Sequence, residues 1–270
     1  MSRPAKPETA LVVTATEQLS PTMIRVSFRS EDLSAFSSSV FTDRYVKLQI
    51  PREHGSSEAG TSEDGPVVRT YTALNPSVED GTLDIDFVVH GTEGYAGPWA
   101  VAAKPGDTLV ALGPGGAYAP DPAADWHLIA GDETALPAVR AALAALPADA
   151  RGYAVIDIPA PDHEQPLDHP AGVEVTWLVT GDHTHHAARD AEGHEQLLLA
   201  AIRDLKWLDG RVHAFVHGEA AVTMHGIRPY LLKERGVPKA DVSISGYWRR
   251  GRTEETFREW KRELAEAESA

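Results

Sequence analysis

A few short segments of this sequence carry residues whose types and spacing suit chemistry. Arg69-Thr70-Tyr71-Thr72 sits in a run of β-formers, where a period of two puts Arg69 and Tyr71 on one face and Thr70 and Thr72 on the other. An arginine fork suits a diphosphate, and a tyrosine ring packs on a flat heterocycle. Asp86-Phe87-Val88-Val89-His90-Gly91 follows. Leu83, Ile85, Phe87 and Val89 share the face expected to be core, and Asp84, Asp86, Val88 and His90 share the other. A histidine ending a strand before glycine can donate to a carbonyl or phosphate. In Gly94-Tyr95-Ala96-Gly97-Pro98-Trp99-Ala100 the glycines let backbone amides approach an anion.

Gly131-Asp132-Glu133-Thr134-Ala135-Leu136-Pro137-Ala138 reads as a strand-to-helix junction. A helix start offers free amides and a positive dipole end to a pyrophosphate. Asp132 and Glu133 are expected to cap that helix, leaving Thr134 and the backbone for the ligand. The dinucleotide fingerprint Gly-x-Gly-x-x-Gly is missing from the junction. Finally, Tyr247 and Trp248 end a strand and are followed by Arg249, Arg250 and Arg252. The rings can cover a flat cofactor and the arginines can hold an anion. Each segment alone is also what an ordinary exposed strand, a solvated charge run or a pair of core aromatics would show. His183, His185, His186 and His194 cluster in a Gly/Asp/Thr-rich stretch without acidic or thiol partners at ligand spacing, so no metal site is expected.

The elements that must position these residues fall into two kinds. Leu11 to Leu19, Met23 to Arg29, Tyr45 to Ile50, Val67 to Leu74, Thr82 to His90 and Thr108 to Leu112 read as short period-two strands, which points to an antiparallel barrel or sandwich. Arg52 to Pro66, almost without apolar residues, reads as a mobile surface loop. After a Gly/Pro cluster between Pro114 and Asp125 the pattern changes. Strands at Trp126 to Ala130, Tyr153 to Ile158, Val173 to Val179, Val212 to His217 and Val242 to Trp248 alternate with helices at Gly131 to Leu146, Glu195 to Leu205 and Ala220 to Arg235. That alternation predicts a parallel sheet with crossovers. A last helix, Thr253 to Glu268, carries Phe257, Trp260 and Leu264 on one stripe. Ligands of open parallel sheets sit at the carboxyl ends of the strands, and a cleft between two such domains is a natural cofactor seat.

Composition sets outer bounds. The chain of 270 residues accommodates two modest domains. It has no cysteine, which excludes disulfides, thiolate metal sites, iron–sulfur clusters and cysteine nucleophiles. A net charge of -15 argues against nucleic acid and anionic lipid as partners. No stretch approaches the roughly 20 apolar residues of a membrane span, and the N-terminus lacks a secretory pattern, so a cytoplasmic location without membrane insertion is expected.

Taken in order, Arg69-Thr70-Tyr71-Thr72, Asp86 to Gly91, Gly131 to Ala138 and Gly246-Tyr247-Trp248-Arg249 with Gly251 resemble the siderophore-interacting protein family, FAD-containing ferric-siderophore reductases of the ferredoxin reductase superfamily. The resemblance runs over about residues 8 to 262. It implies an FAD-binding β-barrel domain over 8–118 and an NAD(P)H-binding α/β domain with a C-terminal helix over 119–270. Arg69, Thr70, Tyr71 and Thr72 would bind the flavin and its diphosphate. Asp86, Val88, His90, Ala96, Gly97, Trp99 and Ala100 would contact the rest of FAD. Gly131, Asp132, Glu133, Thr134, Ala135, Gly218, Glu219 and Ala220 would line the nicotinamide site, with Tyr247 and Trp248 also at the cofactors. Lys47, in the Val-Lys-Leu strand, would join Arg249, Arg250 or Arg252 in holding the iron chelate. No protein side chain is expected to act as acid, base or nucleophile.

Two departures from the family pattern stand out. Gly94 to Ala100 replaces a Gly-Pro-Ala-Ser run, and Trp177-Leu178-Val179-Thr180 lacks an arginine suited to a 2′-phosphate. NADPH, NADH and a ferredoxin therefore all stay open as donor. The implied activity is reduction of ferric siderophores by a monomer. Two other readings stay open: a flavin reductase supplying an oxygenase, and a binding protein that sequesters an iron chelate without turnover.

Overall fold

The computed structural model describes residues 7–52, 65–89, 91, 94–181, 191–252, 256–257, 259–260 and 262. The chain forms two compact units, Met1–Ala119 and Pro120–Ala270.

The first unit is a curled antiparallel sheet. Its strands are β1 (Glu8–Ser20), β2 (Met23–Arg29), β3 (Tyr45–Ile50), β4 (Val67–Thr72), β5 (Leu74–Ser77), β6 (Thr82–Val88) and β7 (Thr108–Gly115), with one α-helix, α1 (Ala96–Ala102). Their order is β4-β3-β7-β1-β2-β6-β5. The edge strands β4 and β5 are consecutive in the chain and joined through Ala73, so the sheet bends back until its two ends meet. The period-two pattern places Leu11, Val26, Phe28, Val46, Leu48, Ile85 and Phe87 in one core. Each such side chain contributes about 1.5–3 kcal/mol on burial. The sequence pattern joined Val67 to Leu74 in one strand. The structure breaks it after Thr72, and Asn75 takes a φ of 48°, a turn conformation that asparagine tolerates.

The second unit is a parallel sheet with helices. Its elements are β8 (Trp126–Asp132), α2 (Leu136–Ala144), β9 (Arg151–Ile158), β10 (Gly172–Val179), α3 (Ala191–Asp204), β11 (Val212–Glu219) and β12 (Val242–Trp248). The strand order β10-β9-β8-β11-β12 winds outward in both directions from the β8/β11 pair. Every residue of β8 is buried, as a central strand covered on both faces requires. Trp126, Leu128, Ala130, Val216, Tyr230 and Leu231 share one core. The expected helix between β11 and β12 forms, but as two π-helical stretches, Ala221–Ile227 and Tyr230–Glu234. Such wide turns are rare and often mark functional regions.

Of the expected C-terminal helix, Phe257 is buried and stacks on Trp260, which in turn meets the ring of His225. Most of the expected surface loop (53–64) lies outside the described residues. So do His90, His183, His185 and His186, while His194 falls within α3. Among the described residues no helix is long and apolar enough to cross a membrane.

Candidate functional site

On the first unit, register fixes which side chains share a face. Val46 pairs with Tyr71, Leu48 with Arg69, and Lys47 with Thr70. Arg69 and Tyr71 therefore lie on the face of Val46 and Leu48, while Thr70 and Lys47 lie on the opposite one. Thr72 is buried and Thr70 exposed. The half-buried Tyr71 ring leans on Phe87, centroids 4.5 Å apart, which fixes its tilt. The Arg69 guanidinium stands 5.8 Å from the centre of the Tyr95 ring, and Arg52 stands 5.6 Å from the same ring. Nε of Arg52 donates to the Gly65 carbonyl. Arg52 escaped the sequence reading because it follows β3 in a polar stretch without a motif. Two guanidinium forks near one ring, beside a tyrosine held at a fixed angle, fit the diphosphate and flat ring of a flavin nucleotide.

The other described residues expected at the flavin lie on β6 and α1. The Gly94–Ala100 segment, expected as an open glycine loop, forms α1 instead. Helical spacing turns Ala96, Trp99 and Ala100 onto the barrel, where Ala96 and Ala100 are buried. Trp99 stacks parallel to Phe28 and tilts against Phe87. A Cβ on Gly97 would make only ordinary contacts with Val88 and Val89, so its backbone lies close to the end of β6 without demanding glycine. These side chains therefore pack on the core of the first unit. Asp86 is likewise structural in its side chain: Arg25, its cross-strand neighbour, holds both oxygens at 2.7 and 2.9 Å. The hydrogen bond to Asp86 raises the Arg25 pKa, against the opposing effect of burial. Val88 is half-buried at the end of β6.

On the second unit, the strand ends at the β8/β11 switch are closed by two carboxylates. Oδ1 of Asp132 accepts from the Thr134 amide at 2.9 Å, the Thr134 hydroxyl at 2.5 Å and the Ala135 amide at 3.3 Å. Oδ2 accepts from the Glu219 amide at 2.7 Å and the Trp248 indole at 2.8 Å. Glu219 repeats the device. Its Oε2 takes the amides of Ala221 and Val222, and its Oε1 takes Nη1 of Arg249 and the amide of Arg250. The glycines of the junction are dictated by packing. A Cβ on Gly131 would lie 2.7 Å from the His217 carbonyl oxygen, and one on Gly218 (φ 147°) would lie 2.6 Å from Oδ2 of Asp132. Ala220 is fully buried, and its Cβ leaves no room for one on Gly246.

This arrangement corrects the expectation that the Gly131–Ala135 turn presents its amides to a phosphate. Asp132 occupies the amides of Thr134 and Ala135, and Leu136 donates to the Glu133 carbonyl. Neither carboxylate caps α2, whose N-cap, Ala135, has no side-chain cap hydrogen bond: Asp132 ties the turn ahead of the helix, and Glu133 is buried with Oε1 2.7 Å from Nδ1 of His163. At the neighbouring strand ends, the Thr180 hydroxyl donates to Asp157. The half-buried Tyr247 ring meets His217 edge-on, and His217 stacks on Phe215.

The arginines after Trp248 are not equivalent. Arg249 is ion-paired to Glu219 at 2.9 Å. The exposed Arg252 donates from Nη1 to the Thr256 carbonyl. Arg250 is half-buried, its guanidinium lies over the Trp248 ring 5.9 Å from the centroid, and no acidic side chain among the described residues pairs with it.

With that geometry in view, comparison with known proteins is decisive. Residues 12–118 match the siderophore-interacting FAD-binding domain, and residues 124–251 match the siderophore-interacting protein family model. The chain belongs to the siderophore-interacting protein family. It is 33% identical over 255 residues to the ferric vibriobactin reductase ViuB of Vibrio cholerae, covering 89% of each chain. The family's SipS from Aeromonas hydrophila superposes with a TM-score of 0.79 at 28% identity, covering 97% of this chain and all (100%) of that one. The ferredoxin reductase of carbazole 1,9a-dioxygenase shares the fold, with a TM-score of 0.62 at 17% identity over 90% of this chain and 70% of that one. The first unit is thus a family FAD-binding domain, and both units follow the ferredoxin reductase-like fold.

Proposed function

We propose that the protein is an NAD(P)H-dependent ferric-siderophore reductase, with FAD on the first unit and the nicotinamide donor on the second. The observation that carries this reading is the Arg69–Tyr71 pair on β4, one residue with a fork for a diphosphate and the other with a ring tilted by Phe87. Arg69, with Arg52, holds the diphosphate. Tyr71 would offer its ring face to the flavin. An FAD held there would supply hydride acceptance and one-electron release, which an iron(III) acceptor requires. In balance, one NAD(P)H and two iron(III) give NAD(P)⁺, one proton and two iron(II).

Arg250 is the cation proposed for the chelate on the second unit, and Lys47 is a separate candidate on the first. Lys47 projects from β3 on the side of Thr70, away from the flavin pair. Arg250 is preferred over Arg249 and Arg252 because its guanidinium has no carboxylate partner among the described residues and rests on an aromatic face. An anionic siderophore supplies the missing countercharge. Iron(II) binds oxygen chelators less tightly than iron(III), so reduction loosens the metal. ViuB is named as a ferric vibriobactin reductase, which supports the same substrate class here.

The test is steady-state reduction of catecholate, hydroxamate and carboxylate iron(III) chelates by NADH or NADPH in the presence of an iron(II) trap. Turnover well above that of free FAD is expected for at least one class. Rates equal to free FAD for all three would overturn the proposal.

A further inference from the structure

We infer that Asp132 is a positioning residue that locks the Trp248 indole and, through it, the Arg250 guanidinium; this rests on the proposed chelate role of Arg250. Asp132 lies in the segment expected to line the nicotinamide site, but its carboxylate has no capacity left for a ligand. A carboxylate offers about four acceptor positions. Asp132 is 6% exposed and accepts from five protein donors, on Thr134, Ala135, Glu219 and Trp248.

The two oxygens divide their work. Oδ1 closes the local turn of Thr134 and Ala135 that leads into α2. Oδ2 does something a local turn does not need, because it reaches across to β11 and β12. There it holds the Glu219 amide and the Trp248 indole, the latter 116 residues away in sequence. Gly218 makes room for this oxygen, which would lie 2.6 Å from any Cβ at that position. Arg250 is then fixed twice. Its amide donates to Oε1 of Glu219, and its guanidinium lies over the indole that Asp132 grips. Positioning matters here because a half-buried guanidinium gains from an anion only when its donors face it without further ordering.

Asp132→Asn separates the two jobs. The backbone amides of Thr134 and Ala135 keep the single remaining oxygen. The Asn NH₂ then faces two other donors, the indole and the Glu219 amide, so the cross-strand half is lost. In ¹⁵N-labelled FAD-loaded protein, Trp248→Phe identifies the Trp248 indole resonance by its disappearance. In Asp132→Asn that resonance is expected to move upfield and to exchange with water about tenfold or more faster, the loss of a hydrogen bond to a charged acceptor. Equilibrium titration with iron(III) tris(2,3-dihydroxybenzoate) is expected to show about tenfold weaker binding in Asp132→Asn, with FAD content unchanged. Arg250→Ala should add little on top of either Asp132→Asn or Trp248→Phe.

An unmoved indole resonance in Asp132→Asn overturns the inference. So does unchanged chelate binding in that variant when Arg250→Ala weakens it. If Asp132→Asn does not fold, Trp248→Phe carries the test: chelate binding as tight as in the parent, where Arg250→Ala weakens it, overturns the inference. If Arg250→Ala itself has no effect, the chelate assignment fails instead, and the indole resonance alone decides whether Asp132 holds Trp248.

Discussion

His127 makes the second unit acid-sensitive by an amount that can be worked out. It sits in β8 opposite His213 of β11, is 2% exposed, and its Nδ1 has no hydrogen-bond partner among the described residues. Burial, helped by the nearby His213, pushes its pKa from 6.5 down to about 4. A depressed histidine means that the unfolded chain binds a proton that the folded chain refuses. Stability is therefore complete above pH 6.5 and falls as the pH drops toward 4. At 1.36 kcal/mol per pH unit the full loss is about 3 kcal/mol, of which about 2 kcal/mol is gone by pH 5. Burial lowers the pKa of His213 too, which adds in the same direction. The perturbation is His127→Leu, which removes the titration and the orphaned nitrogen together. The assay is urea unfolding at pH 8 and pH 5 followed by tryptophan fluorescence. That signal reports this unit, since all tryptophans except Trp99 lie in it. The parent should lose about 2 kcal/mol more than His127→Leu between the two pH values, a midpoint shift of about 1 M urea. Parallel pH profiles for the two proteins would refute the reasoning.

Other predictions follow from the same geometry. Arg69→Ala should weaken FAD binding by about ten- to a hundredfold, measured by flavin release on dilution, because a charge-assisted fork is lost; Arg69→Lys should recover only part of it. Asp86→Ala should lower stability by about 1–3 kcal/mol in a denaturant melt by removing both acceptors of the half-buried Arg25 fork. Unchanged stability would mean that Arg25 finds another acceptor. Gly218→Ala combines a left-handed φ of 147° with a contact of 2.6 Å to Asp132, so loss of soluble protein or a fall of several degrees in Tm is expected.

The legible part of this protein was whatever repeats locally. Met23–Arg29, Tyr45–Ile50 and Val242–Trp248 alternate so regularly that their strand limits coincide with the structure. The change from period two to alternating strands and helices announced an antiparallel sheet followed by a parallel one. What stayed hidden depends on contacts far along the chain or on geometry that composition masks. The α1 helix was obscured by Gly97 and Pro98, though proline is tolerated in a first turn. The π-helical stretches share the apolar spacing of an α-helix closely enough to be read as one. Nothing near Asp86 in sequence points to Arg25, and nothing near Asp132 points to Trp248. The choice of Arg250 among three arginines depends on Glu219, which occupies Arg249 and lies on another strand.

Anaerobic half-reactions test the central claim most directly. The FAD-loaded protein is bleached with one equivalent of NADH or NADPH, then mixed with a ferric siderophore while flavin absorbance and trapped iron(II) are recorded together. The account predicts bleaching by a nicotinamide donor, then recovery of the oxidised spectrum with two iron(II) released per FAD. A flavin that neither donor bleaches, or a reduced flavin that ferric chelates of every class leave reduced, would contradict it.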